Sequence, residues 1–122
     1  MSILIASLAL VCAAPVAVDG DTLRCASGVR VRLLAIDAPE LPGHCRRGRV
    51  CTPGDPVASK ANLARLIGRG PIWCESRGRD RYGRVLARCF ASEVDLSCAQ
   101  VQGGFAVERY GRLNCPPARA AR

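Results

Sequence analysis

The sequence predicts a mainly β domain of the α+β class, with five strands and two helices arranged as a small Greek-key barrel that disulfides hold together. The length of 122 residues supports one core of ordinary size. Short apolar stretches rich in β-branched residues alternate with turn residues, which is typical of strands. The eight cysteines, an even number, favour disulfides in an oxidising compartment. A hydrophobic content of 49% excludes a disordered chain.

The first three strands are predicted to form an antiparallel meander. Val16–Val18 and Thr22–Cys25 flank a turn at residues 19–21, and residues 29–36 alternate apolar residues with Arg before becoming fully apolar. Pro39 marks the end of the third strand because proline lacks a backbone donor. These short connections disfavour a parallel sheet, which needs long crossovers.

The clearest helix spans residues 55–68, after a loop at residues 41–54 that is rich in Pro and Gly. Asp55 is a typical N-cap, and Pro56 suits the first helical position. Apolar residues then keep helical spacing to the end of the segment. A second helix is predicted over residues 94–102, where two glycines follow.

The fourth and fifth strands, Pro71–Glu75 and Val85–Phe90, are predicted to form a hairpin around a turn at residues 80–83. A four-residue turn places Cys74 directly opposite Cys89, so we predict a disulfide between them. One helix precedes this hairpin and another follows it. That order of elements is typical of an OB-fold, a small barrel that often binds oligonucleotides.

The other six cysteines are assigned by position. Cys45 and Cys51 lie in one loop and are expected to pair with each other. No two cysteines have the close spacing of a zinc site, so disulfides are the better use for all of them. The remaining four are expected to pair as Cys12 with Cys25 and Cys98 with Cys115, and the sequence leaves the partners of Cys12 and Cys98 open.

The two ends of the chain set the predicted boundaries. The start is an uncharged apolar run that resembles a signal peptide or an anchor, although no basic residue precedes it. Cleavage after Ala9 would keep Cys12, whereas cleavage after Ala13 would remove it. We therefore expect a secreted or periplasmic protein. Its predicted parts are a leader or anchor at residues 1–11, a folded domain at 12–115 and a flexible tail at 116–122.

The net charge of +8 comes from residues 41–91, which hold eleven basic and three acidic side chains. Of the 18 basic residues, 17 are Arg, whose planar fork suits bidentate contacts to phosphate. Nucleic acid is therefore the first partner to consider. A solvated basic surface with no partner is the alternative.

Four of the ten acidic residues lie within 22 residues of each other, namely Asp19, Asp21, Asp37 and Glu40. Carboxylates that converge suit a hard divalent cation, and Ca²⁺ tolerates the irregular geometry of loops better than Mg²⁺. The alternative is that these residues only form a turn and end a strand.

Three segments resemble, in order, the signature motifs of the staphylococcal-nuclease-like (thermonuclease) family. They are VDGDTLR at residues 18–24, VRLLAIDAPE at 31–40 and RDRYGRVLA at 79–87, and the similarity extends over roughly residues 16–110. The resemblance implies an OB-fold that uses Ca²⁺ to cleave DNA and RNA and leaves 3′-phosphates. It also implies calcium ligands: the carboxylates of Asp21 and Asp37 and the backbone carbonyl of Ala38, with Asp19 as a nearby acid.

The same resemblance implies three catalytic residues. Glu40 matches a carboxylate that activates the attacking water, and Arg32 and Arg84 match arginines that grip the scissile phosphate. This chemistry is reasonable because attack on a phosphodiester builds negative charge that guanidinium groups stabilise. The residues implied to contact substrate are Arg81, Tyr82 and Tyr110.

We interpret the sequence as an exported, calcium-dependent endonuclease of little sequence preference. We expect it to act as a monomer on DNA or RNA, preferably single-stranded. One alternative is a non-catalytic OB-fold module that binds nucleic acid, and another is a disulfide-stapled secreted protein that binds a different polyanion. The lone histidine, His44, lies in the loop before the first helix, which argues against a Ser/His or Cys/His nucleophile.

Overall fold

Nine strands and two helices build the part of the chain that the computed structural model describes, residues 8–68 and 70–117. The strands are β1 (Leu8–Cys12), β2 (Val16–Asp19), β3 (Thr22–Arg24), β4 (Arg30–Leu33), β5 (Ile36–Asp37), β6 (Ile72–Arg79), β7 (Val85–Ala91), β8 (Val94–Asp95) and β9 (Val107–Glu108). The helices are α1 (Pro56–Ile67) and α2 (Leu96–Gln102). The main sheet curls into a half-barrel in the order β1-β6-β7-β4-β3-β2, with β8 paired to β7.

The five predicted strands overlap β2, β3, β4, β6 and β7, but the count of five is not confirmed. The predicted third strand, residues 29–36, is split because Ala35 adopts a left-handed φ of 67°. Ile36 and Asp37 leave β4 and pair with β9 in a second sheet of two strands. The split brings the Asp37 carboxylate back toward the Arg32 guanidinium in β4.

Strand β1 begins inside the segment predicted as a leader. Leu8–Cys12 pair antiparallel with β6, and burial alternates over residues 9–12 as expected for a sheet with one covered face. Leu10 packs against the core and Cys12 is fully buried. The described part of this segment is therefore a strand of the sheet. Residues 1–7, and residues 118–122 of the predicted tail, lie outside the described residues.

The β6–β7 hairpin pairs Cys74 with Cys89, as predicted. The turn itself differs from the prediction, because Arg79 faces Val85, one residue later than a four-residue turn implies. A bulge at residues 76–78 shifts the register back by one. The predicted disulfide is therefore present although the expected register fails at the end of the hairpin.

Helix α1 begins where its cap predicts, since the Asp55 carboxylate accepts hydrogen bonds from the backbone N–H groups of the first turn. Helix α2 begins at Leu96, two residues later than predicted. Asp95 stays extended and its carboxylate accepts from the N–H of Cys98, so Asp95 is the N-cap and belongs to β8. No helix in residues 8–68 and 70–117 is long and apolar enough to span a membrane.

Gln100 of α2 fixes the turn that precedes the candidate site. Its amide nitrogen donates to the carbonyl oxygens of Gly20, at 2.8 Å, and Ser59, at 3.0 Å. Gly20 must be glycine because a Cβ there would lie 1.8 Å from the Ser59 hydroxyl. The turn is thus tied to both helices.

The core lies between the half-barrel and the helices. Its largest fully buried apolar side chains are Leu23, Val31, Leu33, Ile36, Leu63, Ile72 and Leu96. The four expected disulfides are all present, and the described residues contain no free cysteine. They join Cys12 to Cys25, Cys45 to Cys51, Cys74 to Cys89 and Cys98 to Cys115.

Candidate active site

A cavity of about 800 Å³ opens at the end of β4 and collects nearly every site residue predicted from the sequence. Ala38 is the exception: it is buried and does not line the cavity. The predicted residues that line it are Asp19, Asp21, Arg32, Asp37, Glu40, Arg81, Tyr82, Arg84 and Tyr110.

Strand β4 carries Arg32 into this cavity. Val31 and Leu33 are buried in the core, so the alternation of the strand turns Arg32 to the opposite face. Its terminal nitrogen Nη2 lies 3.4 Å from Asp21 Oδ2 and 3.2 Å from Asp37 Oδ1. A carboxylate from the turn between β2 and β3 and one from β5 therefore share one cationic group.

Asp21 is held in place by the backbone and by its neighbour. Its Oδ2 accepts a hydrogen bond of 2.9 Å from the N–H of Ala38, and its Oδ1 accepts one of 3.0 Å from the Thr22 hydroxyl. Burial raises the pKa of Asp21 to about 7; the Arg32 guanidinium opposes this shift, and the Asp19 carboxylate adds to it. The negative charge of Asp21 is therefore under-compensated by the protein alone.

Asp37 has the opposite environment, because three guanidinium groups surround it. Besides Arg32, Arg49 Nη2 lies 2.9 Å from Oδ1, and Arg109 Nη1 lies 3.1 Å from Oδ2. The Thr52 hydroxyl also donates to Oδ2. The described residues thus supply this carboxylate with more positive charge than it needs.

Arg49, Thr52 and Arg109 were missed by the sequence analysis. Arg49 and Thr52 belong to the loop at residues 41–54. Its composition predicts a loop but not which part of the domain the loop packs against. The signal that was available is the Cys45–Cys51 bond, since a closed loop holds its side chains against the domain. Arg109 approaches through the pairing of β9 with β5, which local patterns do not reveal.

Glu40 lies beside this group and is half-buried. Its Oε1 accepts a hydrogen bond of 2.9 Å from Arg49 Nη1. Arg49 Nη2 also donates to the Tyr110 hydroxyl at 3.0 Å. One arginine therefore links the carboxylate predicted to activate water with a predicted metal ligand and a predicted substrate contact.

Arg84 is positioned by Asp80, which the sequence predicts only as a turn residue. Arg84 Nε lies 2.7 Å from Asp80 Oδ2, and Asp80 Oδ1 accepts from the backbone N–H groups of Tyr82 and Arg84. Burial opposes the ionisation of Asp80, but these hydrogen bonds and the guanidinium outweigh it and lower its pKa. Among the described residues, the terminal nitrogens of Arg84 have no hydrogen-bond partner.

Two tyrosines lie at the mouth of the cavity and are largely exposed. The Tyr82 ring is 4.8 Å from the guanidinium carbon of Arg46 and 5.5 Å from that of Arg84. The Tyr110 ring is 5.8 Å from the guanidinium carbon of Arg32. Exposed rings beside cationic groups can stack on a base next to a bound phosphate.

Comparison with known proteins gives the family. The family described as staphylococcal nuclease homologue matches residues 30–118, which leaves the turn with Asp19 and Asp21 outside the matched range. The succinoglycan biosynthesis protein ExoI of Rhizobium meliloti is 40% identical over 95 residues, covering 75% of this chain and 49% of that protein. An uncharacterized endonuclease of Haemophilus influenzae is 30% identical over 92 residues, covering 72% of this chain and 46% of that protein.

The chain therefore spans about half the length of the curated relatives it matches. The match to the family covers most of the chain, and the curled half-barrel with two helices is consistent with an OB-like fold. The chain belongs to the staphylococcal nuclease homologue family, a family of nucleases.

Proposed function

We propose that this chain is an exported, calcium-dependent endonuclease that hydrolyses phosphodiester bonds of DNA and RNA, preferably single-stranded and with little sequence preference, and leaves 3′-phosphates. The observation that carries the proposal is the convergence of Asp21 and Asp37 on one cationic group, in a cavity that also holds Glu40 and Arg84. The family match supports the nuclease class.

The residues present fit a calcium ion. In this proposal Ca²⁺ takes the place that the Arg32 nitrogen has between Asp21 and Asp37, and Arg32 turns to the phosphate. Carboxylate oxygens are the ligands that Ca²⁺ prefers. Within the described residues, no three His, Cys, Asp or Glu side chains group as a metal site, so a third protein ligand has to come from elsewhere. We assign that ligand to the Ala38 carbonyl. Nucleases of this family are generally calcium-dependent.

The protein groups divide the chemistry between them. When bound, Ca²⁺ supplies positive charge next to the reacting phosphate. Glu40 orients the attacking water and accepts its proton. Arg32 and Arg84 donate hydrogen bonds to the phosphate oxygens, where negative charge grows in the transition state. Stacking of bases on Tyr82 and Tyr110 tolerates any sequence, which accounts for the low preference that we propose.

The four disulfides support action outside the cytosol, where such bonds persist. We therefore place the protein in a secreted or periplasmic setting. The half-barrel of the main sheet corresponds, in this proposal, to the barrel of an OB-fold.

The test of the proposed function is a digestion of labelled single-stranded DNA and RNA by the purified, oxidised protein. We expect EDTA to stop cleavage, excess Ca²⁺ to restore it, and the products to carry 3′-phosphates. Binding without cleavage at any Ca²⁺ concentration would instead favour the non-catalytic module. If the protein neither binds nor cleaves nucleic acid, both functions are excluded.

Arg49 should weaken calcium binding because its guanidinium occupies Asp37 Oδ1. Asp37 is buried but Arg49 is about one-third exposed, so solvent screens the pair and we take its worth as about 1 kcal/mol. We therefore expect Arg49→Gln to bind Ca²⁺ about fivefold more tightly. The dissociation constant can be read from the rise of the melting temperature with Ca²⁺ concentration. Arg47→Gln removes the same charge from an exposed position of the same loop and should change the affinity less. Unchanged or weaker Ca²⁺ binding by Arg49→Gln would contradict this account.

A further inference from the structure

A second groove, of about 380 Å³, adjoins the cavity of the candidate site. Arg30, Tyr82 and Arg84 line both openings, so the two lie side by side. The remaining lining comes from the turn at residues 27–29 and from Arg79 and Gly83. A chain-like ligand held in the cavity can therefore continue into the groove past Tyr82.

The charge of the groove differs from that of the cavity. Five carboxylates line the cavity, whereas none lines the groove, which has three guanidinium groups instead. Arg84 is paired with Asp80, but Arg30 and Arg79 form no ion pair within residues 8–68 and 70–117. The groove is thus suited to an anion, and it needs no metal ion to attract one.

The positions of Arg30 and Arg79 in the fold direct both side chains to the groove. Arg30 is on the same face of β4 as Arg32, two residues away, so the arginines of that face extend from the cavity to the groove. Arg79 ends β6, and its Nη1 donates a hydrogen bond of 3.1 Å to the carbonyl oxygen of Gly83 in the hairpin turn. Both side chains are exposed and reach solvent.

We propose that this groove is a second phosphate subsite, which binds a neighbouring phosphodiester of the strand whose scissile phosphate lies in the cavity. The inference rests on the proposed function and extends it. Arg30 and Arg79 would contact the backbone through their planar forks, while Tyr82 stacks on the base between the two phosphates. Such contacts read the backbone and not the bases, so the ligand is a single strand of any sequence.

The test measures binding in EDTA, where cleavage does not interfere. The probes are a fluorescent oligothymidylate of about eight nucleotides, long enough to cross both openings, and a dinucleotide with a single phosphodiester. We expect Arg30→Gln and Arg79→Gln each to bind the longer strand about fivefold more weakly. The slope of log K against log salt should fall by about 0.7 for each phosphate that the variant no longer neutralises. The dinucleotide can occupy only one opening at a time, so the parent should bind it much more weakly than the longer strand.

Arg65→Gln is the matched control, because Arg65 is exposed on α1 and lines neither opening. The groove assignment is overturned if both groove variants bind the longer strand with the affinity and salt slope of the parent. It is also overturned if Arg65→Gln weakens binding equally, since a diffuse charge effect would then explain the loss. A parent protein that shows the length-dependent binding but never cleaves would refute the proposed endonuclease and keep the groove.

Discussion

Replacing Glu40 by glutamine should lower kcat about 10²-fold or more, because a positioned general base contributes roughly 10² to 10⁴ in rate. The substitution keeps the size of the side chain and its ability to hydrogen-bond, but removes the negative charge that accepts the proton. Substrate affinity should change little, since Glu40 does not attract the phosphate backbone. The measurement is steady-state digestion of single-stranded DNA at saturating Ca²⁺.

The folded state should tolerate this change. The pair formed by Glu40 and Arg49 is partly exposed, and such pairs contribute at most about 1 kcal/mol. Glu75→Gln is a suitable control, because Glu75 pairs with Arg77 outside the cavity and should leave kcat as it is. Digestion by Glu40→Gln within a few-fold of the parent would show that the site lacks the base assigned to it.

The sequence predicted the elements that depend on local signals. Helix α1 begins at its Asp55 cap, and the β6–β7 hairpin pairs Cys74 with Cys89. The sequence did not predict the elements that depend on pairing between strands. Strands β5, β8 and β9 have two residues each, too few for any periodic pattern. Strands β5 and β9 pair with each other from distant parts of the chain, whereas β8 folds back on the end of β7.

The apolar start of the chain shows a different limit. A run such as Leu8–Cys12 has the composition of an export segment and also that of a buried strand, and periodicity over five residues does not separate the two. The structure pairs it with β6 and buries Cys12, which is bonded to Cys25. Residues 8–12 are thus a strand in the described part of the chain, and the leader or anchor stays a prediction.

For the candidate site, the motif resemblance identified the functional residues of the three segments. It did not identify the side chains that pair with them. Asp80 was visible in a motif and is the residue that holds Arg84. Arg109 lies 72 positions from Asp37 in the chain, so their contact follows from topology and not from spacing. Long flexible side chains that converge from loops are the part of a site that a single sequence predicts least.

Arg84→Lys should also reduce kcat on the order of 10²-fold, the usual cost of losing a hydrogen-bond donor to a developing oxyanion. Lysine keeps the positive charge but loses the planar fork, so it cannot bond to Asp80 through Nε and still offer two nitrogens to the phosphate. The Michaelis constant should change little, because overall attraction to the strand depends on the number of charges.

Arg77→Lys makes the same exchange at an exposed position of β6 that lines neither opening, and its kcat should match that of the parent. Thermal melting would show whether either variant has lost stability, which the preserved charge and the four disulfides argue against. If Arg84→Lys loses affinity for DNA but keeps its turnover, Arg84 belongs to general strand binding. A loss of turnover at unchanged affinity would place its guanidinium at the transition state, because only interactions that strengthen there raise kcat.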